Sequence, residues 1–131
     1  MQSPAPIPTV SKKVLWTSYL MSAVPVLMFL FSASMKLIHP PQLDEGFVHL
    51  GIPVSHALGL GILELICTLL YAIPRTSVLG AILLTGYLGG AMQTHLRIGQ
   101  QVVPHVIFGV LIWGGLYLRD VRLRALIPLR S

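Results

Sequence analysis

The sequence predicts an all-α integral membrane protein, a four-helix bundle with both termini in the cytoplasm. Three observations predict it. Four long apolar runs follow one another within 131 residues. Only 10% of the residues are Asp, Glu, Lys or Arg, where a soluble globular chain usually carries about 25%. Prolines or isolated charges separate the runs. So few charges cannot coat the surface of a small soluble protein, and a chain that is 54% hydrophobic calls for lipid as its solvent.

The elements follow in order. Residues 1–13, MQSPAPIPTVSKK, hold three prolines and small polar side chains and read as a flexible tail. Lys12 and Lys13 then precede residues 14–35, VLWTSYLMSAVPVLMFLFSASM, which carry no charge. About 20 such residues cross a bilayer. A cleaved signal peptide fits less well, because its apolar region usually runs about 7–15 residues. Pro25 sits near the middle of this run and predicts a kink, or a carbonyl satisfied by a neighbouring helix. Residues 36–53 form a connection of mixed polarity at headgroup level, in which Phe47, His49 and Leu50 suit a short interfacial helix or turn.

The second span covers residues 54–73, between Pro53 and Pro74, with Glu64 as its one charge. The third covers 76–96 and is closed by Arg97, and the fourth covers 98–118, whose first four residues are polar or small and form the turn. The membrane domain is therefore 14–119, and residues 120–131 form a basic tail. Unbroken apolar runs do not alternate as barrel strands do. The third run has almost nothing polar to offer water, which excludes a soluble bundle. Gly86, Gly90 and Gly109 predict close approach of the last two helices, and Gly59, Gly61, Gly114 and Gly115 add small faces elsewhere.

Charge sets the orientation. Lys12, Lys13, Arg75, Arg119, Arg122, Arg124 and Arg130 share one side, seven of the nine Lys and Arg residues. The positive-inside rule assigns that side, with both termini, to the cytoplasm of an inner membrane. The formal charge of +5 is thus an anchoring signal. No zinc-finger spacing or aromatic-interleaved basic patch points to nucleic acid. The single cysteine, Cys67, forms no intrachain disulfide or paired-thiol redox centre and reads as packing.

All five histidines then fall on the outer side. Glu64 lies deeper, about 15 Å along the helix from position 54. A charge at that depth costs about 3 kcal/mol or more to insert, so it should face protein and find a partner. Tyr87 reaches a similar depth, and Lys36 ends an outward-running helix with its side chain tilted back. The candidate ligand-binding residues are Glu64, Tyr87, His95, His105, Lys36, Gln93 and His56. No HExxH or Glu-x-x-His pattern supports a metal.

Several motifs carry a family resemblance. They are SASMKLIHP at 32–40, the turn Leu50-Gly51-Ile52-Pro53, the pair Gly61-x-x-Glu64, and LGAILLTGYLGGAMQTHLRIG at 79–99. In their order and layout they resemble DoxX-like membrane proteins over residues 15–120. The resemblance implies a small four-helix membrane fold. It also implies kinship with a small subunit of a thiosulfate:quinone oxidoreductase and with proteins of oxidative-stress defence. It assigns no catalytic residue.

Two functional classes follow. In the first, the chain binds a small hydrophobic molecule, a quinone or a lipid, in a polar-lined pocket open to the outer side. In the second, it is an accessory membrane subunit of a quinone-linked oxidoreductase. A purely structural bundle is the third reading. The partners these readings allow are the lipid bilayer, a membrane or redox-enzyme partner, and further copies of the chain.

Overall fold

The computed structural model describes residues 10–130. The flexible tail expected over 1–13 falls largely outside them. Ser11 accepts a hydrogen bond from the Val14 N–H through its hydroxyl and caps helix α1, Lys12–Ile38. The helix runs through Pro25, whose ring is buried. It stops at His39, which adopts a left-handed φ of 65° before Pro40. Helix α2, Pro41–Leu50, starts on a proline, where a missing N–H costs nothing, and ends at Gly51 with φ 74°.

A 3-10 turn at Val54–His56 leads into α3, Ala57–Ala72. A second at Pro74–Thr76 leads into α4, Ser77–Leu96. Helix α5 covers Val103–Arg119. Asp120 then accepts from the N–H groups of Arg122 and Leu123 and caps the short α6, Val121–Leu126, inside the stretch expected as a tail.

The four-helix bundle of four spans is corrected by this architecture. The fold is all-α, but the described residues form six α-helices. Only two segments are long and apolar enough to cross a membrane, Lys12–Ile38 and Val54–Ala72. The physical reasons lie in the other two runs. Helix α4 is 20 residues long, but glycines and the terminal Gln93, Thr94 and His95 dilute its apolar character. The fourth run breaks at Gly99, with φ 79°, and helix resumes only at Val103, which leaves 17 residues.

Helix α1 packs against α3 and α5, α3 against α4, and α4 more thinly against α5. Phe29, Cys67, Tyr71, Leu84 and Ile112 form the centre of the core. Cys67 is a free, buried thiol, in keeping with a packing role. The outward faces stay apolar: Trp16, Leu20, Leu27 and Phe31 on α1 are each about two-thirds exposed. Water would not tolerate such a stripe, and lipid does.

The close approaches fall on other glycines than Gly86, Gly90 and Gly109. A Cβ on Gly86 or Gly90 would meet nothing within 4 Å, and one on Gly109 only the Leu88 side chain at 4.0 Å. A Cβ on Gly80 would lie 2.2 Å from the Tyr71 backbone nitrogen. One on Gly61 would lie 2.9 Å from Lys36 Cβ, and one on Gly115 2.3 Å from Ser22 Oγ. These three glycines set the α3–α4, α1–α3 and α1–α5 spacings.

Candidate functional site

The Gly61-x-x-Glu64 spacing has a local purpose. With no side chain at Gly61, the end of α1 lies directly on α3, one turn before Glu64. The Lys36 side chain tilts back along α1, as helical side chains do. Its Nζ donates to Ser32 Oγ at 2.7 Å and to Glu64 Oε2 at 2.7 Å. The Tyr87 hydroxyl, from α4, donates to the same Oε2 at 2.9 Å. Glu64 is 1% exposed and Lys36 13%. A buried carboxylate without such partners would be strongly unfavourable.

These three side chains stand in the wall of a cavity of about 490 Å³. Met28, Phe29, Leu60, Leu88 and Phe108 supply its apolar surface. Gly86 and Gly90 also line it, so bare α4 backbone forms part of its wall. The glycines expected to close this seam instead leave it open. Toward the end of α4, the His95 and His105 rings lie in contact, centroids 4.7 Å apart and tilted by 53°. His95 Nδ1 donates to the Ala91 carbonyl at 2.7 Å. His105 Nδ1 is buried with no partner among the described residues.

Helix α2 covers this end. Phe47 is buried, and with Leu50 and Ile52 it lines the same cavity. Arg97, just past α4, donates to the Leu50 carbonyl, and a Cβ on Gly51 would press on that guanidinium at 3.2 Å. The turn after α2 and the end of α4 are therefore locked together.

Over most of the chain, residues 20–115, the sequence matches the model of the DoxX-like family. The chain belongs to the DoxX-like family. No curated protein matches it, and no solved structure does. This DoxX-like chain is thus a largely helical membrane protein, with α1 and α3 as its candidate spans.

Of the seven candidate residues, Lys36, Glu64, Tyr87, His95 and His105 line the cavity of the DoxX-like fold. Gln93 and His56 do not, and both are exposed. Gln93 is exposed near the end of α4, and His56 ends the 3-10 turn before α3. Among the described residues no group of three metal-ligating side chains forms. Sequence reasoning missed Ser32, although its place four residues before Lys36 puts the two on one helix face. It did not place Phe47 in the site, although the short interfacial helix or turn expected around residues 47–50 is present as α2.

A second polar cluster lies at the opposite end and was not anticipated at all. Arg119 Nη1 donates to Ser22 Oγ at 2.6 Å. Ser22 lies 2.7 Å from the Tyr71 hydroxyl, which donates to the Ile112 carbonyl at 2.7 Å. The relay runs Arg119 to Ser22 to Tyr71 to backbone and joins α5, α1 and α3. Two serines one turn apart in an apolar run, Ser18 and Ser22, were its only trace in the sequence.

Proposed function

We propose that the chain binds a small, largely apolar molecule with a hydrogen-bonding oxygen, of the quinone or lipid class, in the cavity beside Glu64. The observation that carries this reading is the lining. Apolar side chains form most of the wall, and Lys36, Glu64 and Tyr87 converge on one spot. Binding sites for such molecules share that make-up. The ligand oxygen meets Lys36, whose ammonium has a third N–H beyond those given to Ser32 and Glu64. His105, on the same cavity wall, offers a second polar contact. Entry is lateral, along the bare glycine face of α4. We assign the chain to an inner membrane, with the Lys12–Arg119 end in the cytoplasm and this cavity toward the outer side.

The test fills the cavity without touching the ion pair. Gly90→Leu adds a side chain where nothing lies within 4 Å of the Cβ position. The purified wild-type chain should retain a lipid-soluble molecule detectable in its organic extract, and should bind decylbenzoquinone in titration. Gly90→Leu should melt at the same temperature and lose both. Equal retention by the two proteins would remove this site from consideration.

A further inference from the structure

At the end of the fold away from Glu64, a second cavity of about 640 Å³ opens between α1, α3 and α5. Its apolar wall includes Val10, Leu15, Ala23 and Val26, and Arg119 and Arg122 stand at its polar side. Arg119 is the unusual member. Its guanidinium carbon lies 5.6 Å from the Tyr19 ring centroid and 5.9 Å from that of Tyr71. Nη1 is committed to Ser22 Oγ and, at 3.5 Å, to the Ser18 carbonyl. Nε and Nη2 make no hydrogen bond among the described residues, and no carboxylate there pairs with Arg119.

The nearest acid is Asp120, which lines the same cavity. Its Oδ1 is taken up by the N–H groups of Arg122 and Leu123. A guanidinium presents two parallel N–H donors along its Nε–Nη2 edge, a fork that matches two oxygens of a phosphate. Here one edge is held by the protein and the other is left for a ligand.

The surrounding charge agrees. Lys12, Lys13, Arg75, Arg122, Arg124 and Arg130 lie at this end with Arg119, while Asp120 is the one acid among them. A basic pocket between membrane helices, at the end of the fold that carries the excess charge, suits an anionic headgroup. The cavity is far larger than an inorganic anion needs, and its apolar wall would take the first carbons of an acyl chain.

We propose that the Arg119 cavity is a binding site for the phosphate of an anionic phospholipid. Arg119 grips the phosphate through its free edge, and Ser22 and Tyr71 hold the guanidinium in position. The site is independent of the cavity beside Glu64.

The full chain, delipidated in neutral detergent at physiological ionic strength, is titrated with phosphatidylglycerol, phosphatidylcholine, oleate and inorganic phosphate. Phosphatidylglycerol should bind and raise the melting temperature. Phosphatidylcholine, which has no net charge, should bind about tenfold more weakly, and phosphate alone at equal concentration should do nothing. Equal affinity for the two phospholipids overturns the proposal without any variant. An equal shift with free phosphate or oleate overturns the phospholipid assignment. Arg119→Lys keeps the charge and loses the fork, so phosphatidylglycerol affinity should fall about tenfold, the scale of one charge-assisted hydrogen bond. Arg75→Gln removes an exposed charge at the same end that does not line the cavity, and should cost twofold or less. Equal losses from both variants would mean diffuse surface attraction, and no loss from Arg119→Lys would mean that the fork is not used.

Discussion

Lys36 Nζ and Glu64 Oε2 lie 2.7 Å apart and fasten the end of α1 to the middle of α3. One residue is almost wholly buried and the other nearly so. The pair closes the helix contact that Gly61 permits, and it also forms the polar spot of the cavity.

Breaking this pair from one side should be costly. Glu64→Gln removes the carboxylate and leaves the Lys36 ammonium enclosed without its partner. A loss of about 3 kcal/mol is the usual scale. Lys36→Met combined with Glu64→Gln removes both charges and should recover at least half of it. Thermal or chemical unfolding of the three proteins in one detergent gives the comparison. A double variant as unstable as the sum of its single changes would show that the two charges do not interact.

The two tyrosine hydroxyls should differ. Tyr87 donates one bond to an oxygen that Lys36 also satisfies. Tyr71 sits inside a relay, bonded both to Ser22 and to the Ile112 carbonyl. Removing its hydroxyl strands a buried donor and a buried acceptor. Tyr71→Phe should therefore cost about 2 kcal/mol and Tyr87→Phe about 1 kcal/mol or less. Unfolding measurements that gave the reverse order would count against the relay as a structural tie.

Much of the Glu64 site was legible because burial rules are strict in an apolar chain. A lone carboxylate in an apolar run must find a partner, and Lys36 and Tyr87 were within reach by helix length alone. The crossing count was less legible, because the whole fourth run was counted as a span although its first residues read as a turn. Gly99 and Pro104 shorten the fourth run, and that is a backbone effect. The reading of Gly86, Gly90 and Gly109 failed for a related reason, whereas Gly61 and Gly115 do mark close helix contacts. Spacing shows which glycines share a helix face, but not whether that face meets backbone, as at Gly80, or empty space, as at Gly90.

That contrast gives a direct test. Gly80→Ala would drive a methyl group into the Tyr71 backbone, which cannot rotate away. The expected loss is about 2 kcal/mol, the scale of an overpacked core. Gly90→Ala meets nothing and removes a flexible residue from a helix interior, so it should be neutral or stabilising by up to about 1 kcal/mol. Similar melting temperatures for the two alanine variants would overturn this account of the packing.

The proposed orientation rests on the gathering of cations at one end. Val10, Tyr71, Arg119 and Arg122 line one cavity, so the start of α1, the end of α3 and the end of α5 meet there. Seven of the nine Lys and Arg residues belong to that end, and the positive-inside rule assigns it to the cytoplasm. A fluorescent reporter that matures only in the cytoplasm, fused after Ser131, should be active. His49 lies in α2, between the two candidate spans, and is exposed. In His49→Cys cells, a membrane-impermeant maleimide added from outside should label the chain. Cys67 is buried and should add little background. A dark reporter together with unlabelled Cys at position 49 would reverse the orientation, and would turn the Arg119 cavity toward the outer leaflet.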